Sequence, residues 1–135
     1  MAGGVPVILL DTNVLLFLFR EPERISKVAM DALESARPGE LLISSVSAWE
    51  VAMLSAKKRI ELPLPPREWF QLAIKEFGIR DIVLDTASSA RALELPAIHQ
   101  DPCDRWILAT AVTFGIPIMS ADGVFAKYNL VPVIW

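Results

Sequence analysis

Residues Val7 to Phe19 read VILLDTNVLLFLF. One apolar run is broken once, by Asp11, Thr12 and Asn13. Runs of this kind are buried, and an ionised carboxylate inside one is costly unless something pairs with it. The break divides the run into two elements. Val5 to Leu10 is short, apolar and rich in Val, Ile and Leu, which predicts a buried strand. Asn13 to Phe19 predicts the start of a helix. The partner of Asp11 is not in its own segment, so it has to come from elsewhere in the chain or from a ligand.

Outward from this stretch, strands and helices alternate. Arg20 to Arg24 is a polar break containing Pro22. Ile25, Val28, Ala29, Ala32, Leu33 and Ala36 recur at helical spacing. Pro38-Gly39 marks a turn, and Leu41 to Ile43 a second strand. Ser45 to Lys58 predicts a helix with a basic end, which suits the helix dipole. The rigid LPLPP connector ends at Pro66, which can open the next helix; Gly78 stops that helix after Phe77. Ile79 to Leu84 predicts a third strand, Thr86 to Glu94 a helix, and Leu95 to Gln100 a loop. Pro102 to Phe114 predicts a helix stopped by Gly115. Ile118 to Met119 and Val131 to Ile134 predict the fourth and fifth strands. The pattern implies one domain over residues 1–135, an α/β sandwich with a mainly parallel sheet.

Composition agrees. The 135 residues, 53% hydrophobic, with mean hydropathy +0.43, suffice for a filled core. Cys103 is the only cysteine, so no disulfide within the chain is possible and a cytoplasmic setting is expected. No basic residue precedes the first apolar run, which argues against a signal peptide. No uninterrupted apolar segment reaches the roughly 20 residues of a membrane span. The net charge of −3 speaks against a nucleic-acid binder at first sight.

Four acids fall at equivalent points of this pattern. Asp11 follows the first strand and Asp122 the fourth. Glu50 lies in the helix after the second strand, and Asp104 opens the Pro102 helix. In open parallel sheets the functional crevice lies at the carboxyl ends of the strands, where the following helices also start. Each acid has a plainer use as well. Asp11 could cap a helix, Asp122-Gly123 is a turn signal, and Ser47 to Glu50 fits a capping box. Asp101 is read first as a helix cap before Pro102. Yet Glu50 shares a face with Val46, Met53 and Leu54, and Asp104 with Ile107, Leu108 and Ala111, so both project from apolar faces. Four converging carboxylates would repel one another, and a hard divalent cation such as Mg²⁺ or Mn²⁺ removes that repulsion.

LLDTNVLL, SSVSAWEVAML, HQDPCDRWILATA and IPIMSADGVFAKY together resemble the ordered acidic motifs of PIN-domain ribonucleases, most closely the VapC toxins of toxin–antitoxin pairs. The resemblance spans nearly the whole chain. It implies a three-layer α/β/α sandwich and a metal-dependent endoribonuclease in which Asp11, Glu50, Asp104 and Asp122 bind Mg²⁺ or Mn²⁺. Ser120 matches the hydroxyl residue two before the last Asp, and Thr12, Asn13, Ser120 and Asp101 are expected around the ligands. Cys103 stands where an aromatic is common in one subgroup.

With the four site acids set aside, 13 basic residues face 12 acidic ones, so the remaining surface need not repel RNA. Arg105 and His99 are candidate RNA contacts; Lys57, Lys58 and Arg59 read first as a helix C-terminal cluster. A Cys103–His99 nucleophile pair is conceivable, but a plain buried cysteine is the simpler reading. Val14 to Phe19 is apolar on every side of its helix, so the first two helices are expected to form a groove for a VapB-like antitoxin segment, with homodimerisation a second use. The four tryptophans read as core or interface anchors. Two rivals remain. One is a haloacid-dehalogenase-like phosphatase, which Asp11-Thr12-Asn13 approaches with Asn in place of its second Asp. The other is an inactive PIN-like module that binds RNA or protein.

Overall fold

The opening run divides where Asp11 stands. In the computed structural model, which describes residues 7–135, strand β1 covers Ile8–Leu10 and helix α1 covers Thr12–Arg20, with Asp11 as the cap between them. The expected strand start at Val5 lies outside the described residues. A 3-10 turn at Pro22–Arg24 leads to α2 (Lys27–Ser35). Then come β2 (Leu41–Ser44), α3 (Ser45–Ala56), α4 (Pro66–Glu76) and β3 (Ile79–Ile82). The chain closes with α5 (Thr86–Arg91), α6 (Pro102–Phe114), β4 (Ile118–Met119), α7 (Val124–Tyr128) and β5 (Val133–Ile134).

Among the described residues the strands form one sheet in the order β3-β2-β1-β4-β5, with every pairing parallel. The alternation of side chains along each strand supplies two buried faces. Ile8, Leu10, Leu41, Ile43 and Met119 pack against Val14, Leu15, Ala29, Trp69 and Phe70 of α1, α2 and α4. Leu9, Leu42 and Ile118 face the other way, onto Ile107, Leu108 and Ala111 of α6 and Phe125 and Tyr128 of α7. The result is the expected α/β/α sandwich. The strand order reverses direction at β1: β2 and β3 lie to one side, β4 and β5 to the other. The switch point between β1 and β4 is where a parallel sheet opens a crevice.

Several boundaries differ from the sequence reading. Ile25 precedes α2 rather than opening it, and Ser26 Oγ caps the helix by accepting from Ala29 N at 3.1 Å. Ser47 and Glu50 form no capping box. Ser44 Oγ caps α3 by accepting from Val46 N at 3.0 Å, which places Ser47 and Glu50 within the helix. Helix α7 has no counterpart in the sequence reading, since five residues are too few to show a period. Lys58 takes a left-handed conformation (φ 57°) just past the end of α3. The tryptophans divide: Trp69 is buried, whereas Trp49 is 60% exposed.

Much of the apolar surface of α1 is covered within the chain. Phe19 meets Trp69 and Phe77 edge-on, with ring centroids 5.2 and 4.9 Å away. Phe17 lies against Trp135, and the Arg24 guanidinium sits 4.3 Å from the centre of the Phe17 ring. Among the described residues, no helix is long and apolar enough to cross a membrane.

Candidate active site

The register of β1 with β4 builds the first half of the site. Leu10 stands opposite Met119, and Asp11 N donates to Met119 O at 2.9 Å. This places Asp11 beside Ser120 at the switch point. Ser120 Oγ donates to Asp11 Oδ2 at 2.7 Å and accepts from Asp122 N at 2.9 Å. Thr12 N donates to Asp11 Oδ1 at 2.8 Å. Asp11 and Ser120 are both buried. The two hydrogen bonds favour the ionised carboxylate, but burial outweighs them. Desolvation, followed by the charges of Asp104 and Glu50, pushes the Asp11 pKa up to about 7.

The second half comes from α3. Glu50 Oε1 lies 2.5 Å from Thr12 Oγ1, which also lies 2.8 Å from Ser47 Oγ. Thr12 has one hydroxyl proton. Given to the Glu50 carboxylate, it leaves Ser47 to donate to Thr12, so a short hydroxyl chain holds Glu50 in place. Here too burial dominates: desolvation, helped by Asp104 and Asp101, pushes Glu50 up to about 7 against the Thr12 bond.

Helix α6 brings the third carboxylate. Asp101 caps it, accepting from Cys103 N at 2.9 Å through Oδ1, which is its expected use. Asp104, in the first turn, has Oδ2 2.9 Å from His99 Nε2. Burial and then the charge of Asp101 raise the Asp104 pKa, and His99 opposes them. Ligand atoms of His99, Asp101 and Asp104 all lie within 4.8 Å of one another. The His99–Asp104 contact was not foreseen. Its signal in HQDPCD is a His five residues before the acid, across a helix start, where the turn geometry is invisible in sequence.

Asp122 is exposed, and its Oδ1 accepts from Val124 N at 3.0 Å at the start of α7. Its turn reading therefore holds, while its charge still acts on Asp104. The charge of Asp104 acts on both Asp11 and Glu50, and that of Glu50 on Asp11, while the tight group of ligand atoms among the described residues is His99, Asp101 and Asp104, without Asp11 or Glu50. Asn13 Oδ1, two residues beyond Asp11, is buried with no hydrogen-bond partner.

Arg105 corrects the sequence reading. Its Nη1 donates to Pro96 O (3.1 Å) and His99 O (3.0 Å), and its Nη2 to Ala92 O (2.6 Å) and Leu95 O (3.0 Å). The fork is fully committed to backbone carbonyls and has no terminal N–H left for a phosphate. The Cys103–His99 pair is also ruled out. His99 is held by Asp104, and the Cys103 thiol is pushed up to about 12 by burial and then by Glu50, Asp101 and Asp104. Burial and these negative charges outweigh the helix N-terminus that would lower it.

Among the described residues, no Lys or Arg forms an ion pair with any of these acids. Asp11, Glu50 and Asp104 are thus each raised by burial first and by neighbouring acids second, and among the described residues the basic side chain in contact with them is the His99 imidazole. The donor set is oxygen-rich, and its negative charge lacks a compensating side chain. Both features fit a hard divalent cation.

Comparison with known proteins gives the family and the fold. Residues 8–130 match the PIN domain family model. The chain is 34% identical over 116 residues to Ribonuclease VapC22 of Mycobacterium tuberculosis, covering 85% of this chain and 86% of that protein. Among solved structures, DNA-bound VapBC from Salmonella typhimurium superposes with TM-score 0.70 at 16% identity, covering 95% of this chain and 96% of that one. The sarcin–ricin-loop-cleaving toxin VapC20 of Mycobacterium tuberculosis gives TM-score 0.66 at 17% identity, covering 95% and 99%. By sequence match and by fold, the chain belongs to the PIN-domain family.

Proposed function

We propose that this protein is a divalent-metal-dependent endoribonuclease that hydrolyses RNA phosphodiesters as the toxin of a VapBC-type pair. The observation that carries the reading is the buried Asp11, with Glu50 and Asp104 beside it and no cationic side chain paired to it. The likeness to a VapC ribonuclease over most of the chain supports the same chemistry.

In this reading Asp11, Glu50 and Asp104 hold Mg²⁺ or Mn²⁺, and Asp122 completes the site directly or through water. When bound, the cation polarises the attacking water and neutralises charge on the phosphate. The chain's own residues fix the carboxylates. Ser120 and Thr12 N hold the two oxygens of Asp11. The Thr12 hydroxyl orients Glu50, and His99 orients Asp104. Such supporting hydrogen bonds set ligand direction and basicity.

In this reading the antitoxin partner occupies a cavity of about 330 Å³ between α1 and α2, lined by Leu18, Met30, Leu33 and Phe77 with Glu34 as its charged side chain. An apolar groove between helices suits an amphipathic segment of a second protein. A homodimer and a cytoplasmic setting complete the reading.

The test is cleavage of a structured RNA panel with Mg²⁺ or Mn²⁺, against EDTA and against Asp11→Asn and Asp104→Asn. Cleavage that survives EDTA and both substitutions would sink the assignment. Robust turnover of a generic phosphomonoester without RNA cleavage would favour the phosphatase alternative.

A further inference from the structure

Beside the carboxylates lies a cavity of about 520 Å³ that the catalytic reading does not use. Leu93, Ala97 and Trp106 supply apolar wall, and Ser89, Gln100 and His99 supply polar groups. His99 is shared: it lines the cavity and also contacts Asp104 at 2.9 Å. Gln100 and Pro102, also in its wall, flank Asp101. The cavity therefore adjoins the acidic cluster through His99.

We infer that this cavity is a subsite for one unpaired nucleobase of the RNA, seated against Trp106 with its edge towards Gln100 and Ser89. The inference rests on the nuclease reading and names part of its substrate recognition. Three observations favour a base. First, the wall contains no carboxylate, and its one guanidinium, Arg105, spends its terminal N–H groups on backbone carbonyls and leaves none for a phosphate. A phosphodiester held at Asp104 would present its uncharged base, not its phosphate, to such a wall. Second, an aromatic face beside an amide and a hydroxyl is the combination by which proteins take up bases splayed from single-stranded RNA. Third, the cavity is preformed. Arg105 ties the carbonyls of Ala92, Leu95, Pro96 and His99 together, which fixes the strap that makes one wall. A rigid pocket loses less freedom on binding than one that must order itself.

The test uses the full chain in EDTA, so that nothing is cleaved. Nucleoside 5′-monophosphates (AMP, GMP, CMP, UMP) are titrated while the indole N–H signals of the tryptophans are followed by NMR, assigned with Trp→Phe variants. The Trp106 signal moves with at least one nucleotide, and Ala97→Trp, which fills the cavity from an exposed position, abolishes that shift. The exposed Trp49, which lines a different cavity on α3, reports indiscriminate stacking. If no indole moves, or if Trp49 and Trp106 move alike, the subsite does not exist. If the Trp106 signal instead follows protein concentration alone, the cavity is a contact between two copies and the inference is overturned. In the cleavage assay, Ala97→Trp raises KM about 10-fold with kcat retained, within the range for loss of one stacked base. Wild-type cleavage with an unchanged KM in that variant rejects the subsite and leaves the nuclease reading standing. Absence of any wild-type cleavage rejects the nuclease reading, and the nucleotide titration still decides the cavity.

Discussion

Ser120 Oγ donates to Asp11 Oδ2 at 2.7 Å, across 109 positions of sequence and across the junction of β1 with β4. The same oxygen accepts from Asp122 N. One hydroxyl thus positions the central carboxylate and the turn that carries the fourth acid. Ser120→Ala removes both bonds and leaves Asp11 buried. Cleavage should fall about 10- to 100-fold, as for other groups that orient metal ligands. Ser120→Thr, which keeps the hydroxyl, should recover part of the loss. Equal loss in both variants would mean that packing, not the hydrogen bond, is what matters at this position.

Asp11 has its pKa raised to about 7, so the folded chain holds that proton more tightly than the unfolded chain does. Glu50 behaves in the same way. Between about pH 4 and 7 the unfolded chain ionises first, so stability without metal falls as pH rises through this window. The contribution of Asp11 to that loss is at most about 4 kcal/mol. The Tm in EDTA should therefore be higher at pH 5 than at pH 8. Mn²⁺ should restore more stability at pH 8 than at pH 5, because the carboxylates must be deprotonated to bind it. A Tm that rises with pH in EDTA would contradict the burial argument.

Asp11→Asn separates function from stability. It removes a buried charge that has no cationic partner, so the metal-free Tm at pH 8 should rise while cleavage drops about 10²-fold or more. Thermal melts and cleavage rates on the same preparation check both halves. A variant that is less stable and still active would show that Asp11 is structural.

Arg105 holds four backbone carbonyls with its two terminal nitrogens. Arg105→Lys cannot reproduce that planar fork. It should cost about 2 kcal/mol or more, since bonds to a charged donor are lost and carbonyls are left unmet. Denaturant unfolding measures it. If Arg105 contacted phosphate instead, the lysine would keep stability and lose only RNA affinity.

Cys103 is buried and its thiol is pushed up to about 12. Iodoacetamide at pH 8 should leave the folded protein unmodified and alkylate it readily in denaturant. Fast labelling of the folded chain would restore the nucleophile reading set aside here.

Much of this was legible in the residues alone. The alternation of short apolar strands with helices, two of them opened by Pro and stopped by Gly, determined the layered fold, because strand and helix periods are local properties. The break at Asp11 divided VILLDTNVLLFLF into strand and helix for the same reason. That Asp11 and Asp122 follow strands, that Asp104 lies in the first turn of α6 and that Glu50 lies within the helix after β2 also followed from order along the chain. Tertiary structure alone decided the rest. Strand order put β4 beside β1 and so set Ser120 against Asp11. The true cap at Ser44 turned Ser47 and Glu50 inward to Thr12. The bend before α6 brought His99 onto Asp104 and turned Arg105 into a backbone clamp. The contacts of Ser120 with Asp11 and of Glu50 with Thr12 depend on register between distant segments, and the Ser44 cap, His99 and Arg105 on turn geometry and packing, which no apolar period encodes. Whether an acid is a solvated cap or a buried, repelled charge is settled only when those segments close over it.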